Sequence, residues 1–218
     1  MSKLLNLVLV GGAGTCSDAL VLIDCINAVS PKYQVKGILG DSVPVGTELY
    51  GFPVLGGLGT GAAMDDVHFV DCLGSPGSYR RRQAILEKAG LADKPFETLV
   101  HPAAVVATNA SIGTGCLIFP CAVLLSNVHV GNHVTILSGA VLNHGVRVSD
   151  WSILASGVLL SGEVQVGKHC YLGVGCSVRE RRQIGAGSLV GMGAAVTENV
   201  GEDSVVAGVP ARKLRKAE

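Results

Sequence analysis

Residues 140–160 read AVLNHG VRVSDW SILASG VLL, and the third letter of each group of six is aliphatic: Leu142, Val148, Leu154, Leu160. Outward from there the beat holds in both directions. It runs from Ile112, Ile118, Leu124, Val130 and Ile136 before the stretch to Val166, Leu172, Val178, Ile184, Val190 and Val196 after it, with no slip of register. Two places earlier in each hexad stands a mostly small residue, among them Cys116, Ala122, Ala140, Ser152, Cys170, Cys176, Ser188 and Ala194; Arg182 breaks this second series. Gly often follows the aliphatic residue, as at Gly113, Gly131, Gly167, Gly173, Gly185 and Gly191. A β-sandwich with coincidental spacing does not keep one register for so long. A six-residue period predicts a parallel β-helix, in which three hexads make one triangular coil of about 18 residues. The aliphatic side chain points inward and stacks on its counterpart one coil away, at about the 4.8 Å strand spacing.

Composition agrees. Gly accounts for 30 of 218 residues and aromatics for only 4%, against 48% hydrophobic residues. Val, Ile, Leu and Ala must therefore fill the interior, as a narrow repetitive bore demands. The formal charge is zero with 17 Lys and Arg, which argues against a dedicated nucleic-acid binder. No apolar run approaches the roughly 20 residues of a bilayer span, and Leu4–Val10 runs into a Gly-rich turn as a buried strand does, so we expect a cytoplasmic chain. The seven Cys form no CxxC pair, so they read as small buried hydrophobes of a reducing compartment rather than as zinc ligands, and no metal is expected.

Before the repeat the grammar differs. Leu4–Val10 reads as a strand, Gly11, Gly12, Ala13 and Gly14 as a turn, and Asp18 to Val29 as a helix. Val35–Leu39 and Val67–Val70 read as further strands, and Ser78 to Ala89 as a second helix. This alternation predicts an α/β domain over residues 1–98 with a parallel sheet and a βαβ start, ahead of an all-β domain over 99–218.

The unbroken hexads, the two-part layout and the run Ala207-Gly208-Val209-Pro210-Ala211-Arg212-Lys213 together resemble the hexapeptide-repeat acyltransferases. The layout is similar to the branch holding nucleotide-sugar N-acetyltransferases of bacterial glycan synthesis, such as that of lipopolysaccharide O-antigen, and sialic acid O-acetyltransferases. The resemblance implies a Rossmann-like N-terminal domain and a left-handed coil, a handedness that periodicity alone does not give. It implies acetyl-CoA as acyl donor and a nucleotide-linked 4-amino-4,6-dideoxy sugar as acceptor. It also implies a homotrimer with active sites between subunits, with no nucleic acid and no membrane involved. A sialic acid-like hydroxyl acceptor, or a non-catalytic nucleotide-sugar-binding scaffold, remain as alternatives.

Acetyl transfer to an amine needs a proton acceptor, stabilisation of the developing oxyanion and positioning of both substrates. His144 lies two residues beyond inward Leu142, near a corner and pointing outward, where the resembled family carries its catalytic His. His129, His133 and His169 suit surface or interface positions, His101 the domain junction and His68 the N-terminal sheet. One coil of 18 residues beyond His144 is Gly162, matching the family's oxyanion donor. Glu163 lies one coil above Gly145, and either it or Asn143 is expected to orient His144, because relatives often carry an acidic residue beside the His whereas the neighbours here are Asn143 and Gly145. Ile153 replaces a second His found in some relatives.

Gly12, Ala13 and Gly14, between a strand and a helix, suit a phosphate cradle. Asp41, at the end of the second strand, and Gly74 with Ser75 match the rest of the family's nucleotide site. Arg80, Arg81 and Arg82 either meet a diphosphate or form a solvated helix face. Gly173, Gly191 and Gly193 are expected to give close access to acetyl-CoA, with Arg212, Lys213 and Arg215 pairing its phosphates. Arg179, Arg181 and Arg182 form another basic cluster.

Overall fold

A computed structural model describes residues 3–12 and 14–217. The chain divides into two compact units, Met1–Pro102 and Ala103–Glu218.

The first unit is a sheet flanked by helix: β1 (Leu5–Val10), α1 (Gly14–Val29), β2 (Tyr33–Leu39), β3 (Glu48–Leu49), β4 (Phe52–Gly56), β5 (His68–Asp71) and α2 (Arg82–Lys88). The strand order is β3-β4-β2-β1-β5, with β4, β2, β1 and β5 parallel and β3 antiparallel to β4. Leu7 to Val10, Ile38, Leu39, Phe69 and Val70 are fully buried, as central parallel strands require. The helix α1 begins at Gly14, four residues ahead of the expected Asp18, and α2 is shorter than the expected Ser78 to Ala89 because Tyr79–Arg81 forms a 3-10 turn. The strand β4 has no sequence signal: Pro53 interrupts the apolar run, tolerable because its partner β3 is a two-residue edge.

The second unit is a left-handed parallel β-helix. Its three faces are built from two-residue strands. The first face runs from Val105–Val106 to Ala195–Val196, the second from Ser111–Ile112 to Gln183–Ile184, the third from Leu117–Ile118 to Leu189–Val190. Registers step by one coil of 18: Val123 pairs with Val141, Val141 with Leu159, Leu159 with Ser177. From Ile118 to Val196 every residue of the aliphatic series is buried, and so are the small residues two places earlier, apart from Arg182. Polar members of the small series are satisfied inside the bore. Ser152 Oγ donates to Gly167 O (2.9 Å) and accepts from Cys170 N–H (3.1 Å), and Ser188 repeats the pattern with Gly201 and Ser204.

Every sixth residue from Gly115 to Gly193 turns a corner with positive φ, including Cys121, Asn127, His133, Trp151, Glu163, His169 and Arg181. A bulky residue there costs about 1–2 kcal/mol. At one corner stacking offsets it: His133 lies face to face on Trp151 (ring centroids 3.9 Å apart, 8° between planes), and Trp151 runs parallel to His169 at 6.4 Å.

The last coil is shorter. Val200 bridges Ile184 and Val205 pairs with Leu189, each sixteen residues on instead of eighteen. The strand Ser204–Ala207 then pairs antiparallel with Arg212–Lys216, a reversal the hexad pattern does not announce.

Candidate functional site

The corner that follows the strand Val141–Leu142 carries His144. Leu142 is held inside the bore, so the chain leaves the strand outward and His144 is exposed. Backbone bonds fix the corner to the coils on both sides: Gly145 N–H donates to Ser126 O, and Glu163 N–H to His144 O, each at 2.9 Å.

The imidazole lies against Gly162. A Cβ at residue 162 would stand 2.5 Å from His144 Nε2 and 2.6 Å from Cε1. Gly162 O accepts from Arg181 N–H (2.9 Å), while its own N–H donates to none of the described residues. The corner therefore sets an exposed imidazole against a glycine, residue types that a proton acceptor and a backbone donor to an oxyanion require.

The side chains expected to orient His144 have other partners. Glu163 Oε2 accepts from Arg181 Nε at 3.2 Å, both groups largely exposed. Asn143 Nδ2 donates to Leu160 O at 3.1 Å. Among the described residues neither bonds to the imidazole. His129 lies on the second face with Nδ1 2.7 Å from Ser111 Oγ, and His133 and His169 belong to the Trp151 stack.

Gly173 and Gly191 sit where the overlying chain approaches. A Cβ on Gly173 would lie 2.6 Å from Met192 N, and one on Gly191 2.8 Å from Ala207 Cβ. Their missing side chains make room for the next coil. Gly193 (φ 63°) is exposed with open space before it. Arg212 and Lys213 are exposed on the final strand and border a cavity of about 220 Å3 with Val196, Ser204, Val206 and Ala211.

In the first unit the strand-end loops converge at the carboxyl edge of the sheet, where open parallel sheets bind ligands. The order β2-β1-β5 puts a switch point between β1 and β5. The loops are in close contact. A Cβ on Gly11 (φ 140°) would lie 2.8 Å from Cys72 O, and one on Gly40 2.9 Å from Gly11 O. Gly12 lies beside Ser42, and Gly14 opens α1, whose first turn has no acidic residue to compete for an anion. Ala13 lies outside the described residues. Asp41 is exposed and Oδ1 accepts from Leu58 N–H (2.9 Å), which fixes its carboxylate on this rim. Gly74 has φ 123°, and Ser75 Oγ is 2.9 Å from Ser78 Oγ.

Arg82 does not face a diphosphate. It is fully buried and Nη2 donates to Asp71 Oδ2 at 2.9 Å, while Asp71 Oδ1 accepts from Leu73 N–H (3.0 Å). The pair braces the loop that carries Gly74. Sequence reading placed Arg82 in a charged run because nothing local shows that Asp71, at the end of β5, is its partner.

Cys176 and Cys170 are no candidates for a nucleophile, since burial pushes their thiols up to about 12 and about 11. Among the described residues no cluster of His, Cys, Asp or Glu is arranged to hold a metal ion, and no helix is long and apolar enough to cross a membrane.

No known family profile and no curated protein sequence matches the chain. Solved structures do. The structure resembles perosamine N-acetyltransferase from Caulobacter crescentus, determined with CoA and GDP-perosamine, with a TM-score of 0.85 and 25% identity over 97% of each chain. It resembles WeeI from Acinetobacter baumannii AYE with a TM-score of 0.80 and 27% identity, over 96% of this chain and 100% of the other. The acetyltransferase domain of PglB from Neisseria gonorrhoeae FA1090 shares the fold, with a TM-score of 0.84 at 23% identity, over 96% and 99%. The repeat and the coil are shared with these solved structures, which include an N-acetyltransferase and an acetyltransferase domain. Of these neighbours, the perosamine N-acetyltransferase was determined with CoA and the PglB domain also with acetyl coenzyme A.

Proposed function

We propose that this chain transfers the acetyl group of acetyl-CoA to the amine of a nucleotide-linked 4-amino-4,6-dideoxy sugar. The observation that carries this reading is His144 seated on side-chain-free Gly162 at an exposed corner, with the Gly162 N–H donating to none of the described residues. The perosamine N-acetyltransferase likeness, at 25% identity, supports the acceptor class.

In this mechanism the sugar amine attacks the thioester carbonyl directly. An N–C bond forms and the C–S bond breaks. His144 takes the amine proton, and the leaving sulfur takes a proton to become the CoA thiol. The Gly162 N–H donates to the carbonyl oxygen as negative charge develops on it. No acyl-enzyme is formed. Gly193, Arg212 and Lys213 suit the donor, the two cations facing its phosphates.

Residues 1–98 act as a Rossmann-like nucleotide-sugar domain and 99–218 as the transfer domain. Gly12, Ala13 and Gly14 with the α1 N-terminus hold the diphosphate, and Asp41, Gly74 and Ser75 frame the nucleoside. The working form is a cytoplasmic homotrimer, and a sedimenting monomer would remove that element. The test is release of CoA thiol from acetyl-CoA with UDP-, dTDP- and GDP-linked 4-amino-4,6-dideoxy sugars. Rapid release with one acceptor supports the reading; silence across the panel with acetyl-CoA still bound overturns the acceptor class.

A further inference from the structure

The coil below His144 carries two adjacent outward residues of opposite chemistry. Leu124 pairs with Leu142, so Leu125 stands under Asn143 and Ser126 under His144, about 4.8 Å away along the coil axis. The register is fixed by Leu125 N–H to Leu142 O (3.0 Å) and Gly145 N–H to Ser126 O (2.9 Å). Leu125 is 37% exposed, unlike the inward leucines of the series, and Ser126 is exposed. The Ser126 hydroxyl bonds to none of the described residues, and neighbouring Asn127 is tied to Asn109 through both backbone and side chain.

The proposed acceptor has a matching asymmetry, and the inference rests on that reading. Its reacting amine is on C4. On one side C3 carries a hydroxyl; on the other C5 carries the C6 methyl. Whatever places the amine on His144 brings one polar and one apolar substituent beside it. We propose that Ser126 and Leu125 determine acceptor specificity, Ser126 bonding the C3 hydroxyl and Leu125 seating the C6 methyl. Neither residue moves a proton. A hydroxyl added at C6 would lose water against Leu125 without gaining a partner, so the site selects 6-deoxy sugars.

The experiment measures kcat/KM for GDP-perosamine and its 6-hydroxy counterpart GDP-4-amino-4-deoxymannose, and for the equivalent UDP-linked glucose pair. The native protein is expected to prefer the 6-deoxy acceptor by about tenfold or more. Leu125→Ser should bring the ratio within about twofold, and Leu125→Met should keep it. Ser126→Ala should lower kcat/KM about fivefold for both acceptors, chiefly through KM, and leave their ratio unchanged. A loss of packing would slow both acceptors alike in the Leu125 variant, so the ratio separates recognition from folding. An unchanged ratio in Leu125→Ser, or native KM in Ser126→Ala, overturns the inference while the transferase reading stands. Absence of turnover by the native protein with every nucleotide-linked amine overturns both.

Discussion

The His144 ring occupies the place where any other residue at 162 would put its side chain. A Cβ there would come within 2.5 Å of Nε2, closer than Cβ atoms approach other groups. Gly162 is thus the seat of the imidazole as well as the proposed oxyanion donor. Gly162→Ala is expected to fold normally, displace the ring and lower kcat/KM by about a hundredfold or more. Steady-state kinetics beside an unchanged melting curve checks this; an active Gly162→Ala protein removes both roles.

Removing the ring itself has a separate signature. His144→Ala should reduce kcat by about 10²- to 10⁴-fold, the range for a lost general base, and leave acetyl-CoA affinity within about threefold. Calorimetric titration beside kinetics reads the two quantities. Retained turnover would remove His144 from the mechanism.

Glu163 is held by Arg181 at 3.2 Å and bonds to no atom of His144. The pair is exposed, and such pairs stabilise by less than about 1 kcal/mol. Glu163→Gln should therefore keep turnover within about threefold and leave the melting temperature nearly unchanged. A loss of tenfold or more in kcat would return Glu163 to the chemistry.

The Asp71–Arg82 pair is the opposite case, with both side chains fully buried. Arg82→Met strands a carboxylate in the interior and should cost about 3–5 kcal/mol. At this size that lowers the melting temperature by about 10 °C. Adding Asp71→Asn should recover part of the loss. Thermal denaturation of the single and double variants decides, and a single variant as stable as the native protein contradicts the brace.

Thiol reactivity follows burial. Cys170 and Cys176 are pushed up to about 11 and about 12, so both stay protonated, and unreactive, at pH 8. Cys121 is exposed at a corner. Iodoacetamide at pH 8 should mark Cys121 first and spare Cys170 and Cys176 until the protein unfolds. Mass spectrometry of timed digests measures this, and early labelling of Cys176 would contradict it.

How far the sequence shows these features depends on their range. The bore is legible because each inward residue repeats at a fixed interval, so Leu142 and Leu160 announce themselves. The placement of Gly162 over His144 follows from the same interval, since one coil separates them. The Gly that follows an inward residue is visible too, but Gly173 and Gly191 turn out to accommodate the overlying chain, a steric demand that appears only in three dimensions. Trp151 at positive φ looks unsuited to a corner until His133 is stacked on it. Arg82 reads as surface because its partner Asp71 is fixed by the sheet, and Glu163 reads as available until Arg181, one coil on, is placed beside it. Periodic packing is written locally; pairings between particular polar groups are not.

A stack of parallel rungs has no inherent length, because each rung offers the next the hydrogen-bonding edge it received. On the third face that succession is arrested. The sixteen-residue coil brings Ser204–Ala207 into the sheet, and Arg212–Lys216 returns against it in the opposite direction. Any incoming strand meets reversed polarity and four cations, Arg212, Lys213, Arg215 and Lys216. Such an edge is a poor template for fibre-like growth. Two of these cations, Arg212 and Lys213, proposed to greet a donor's phosphates, thereby serve a second purpose, as part of a terminator that keeps a self-propagating geometry finite.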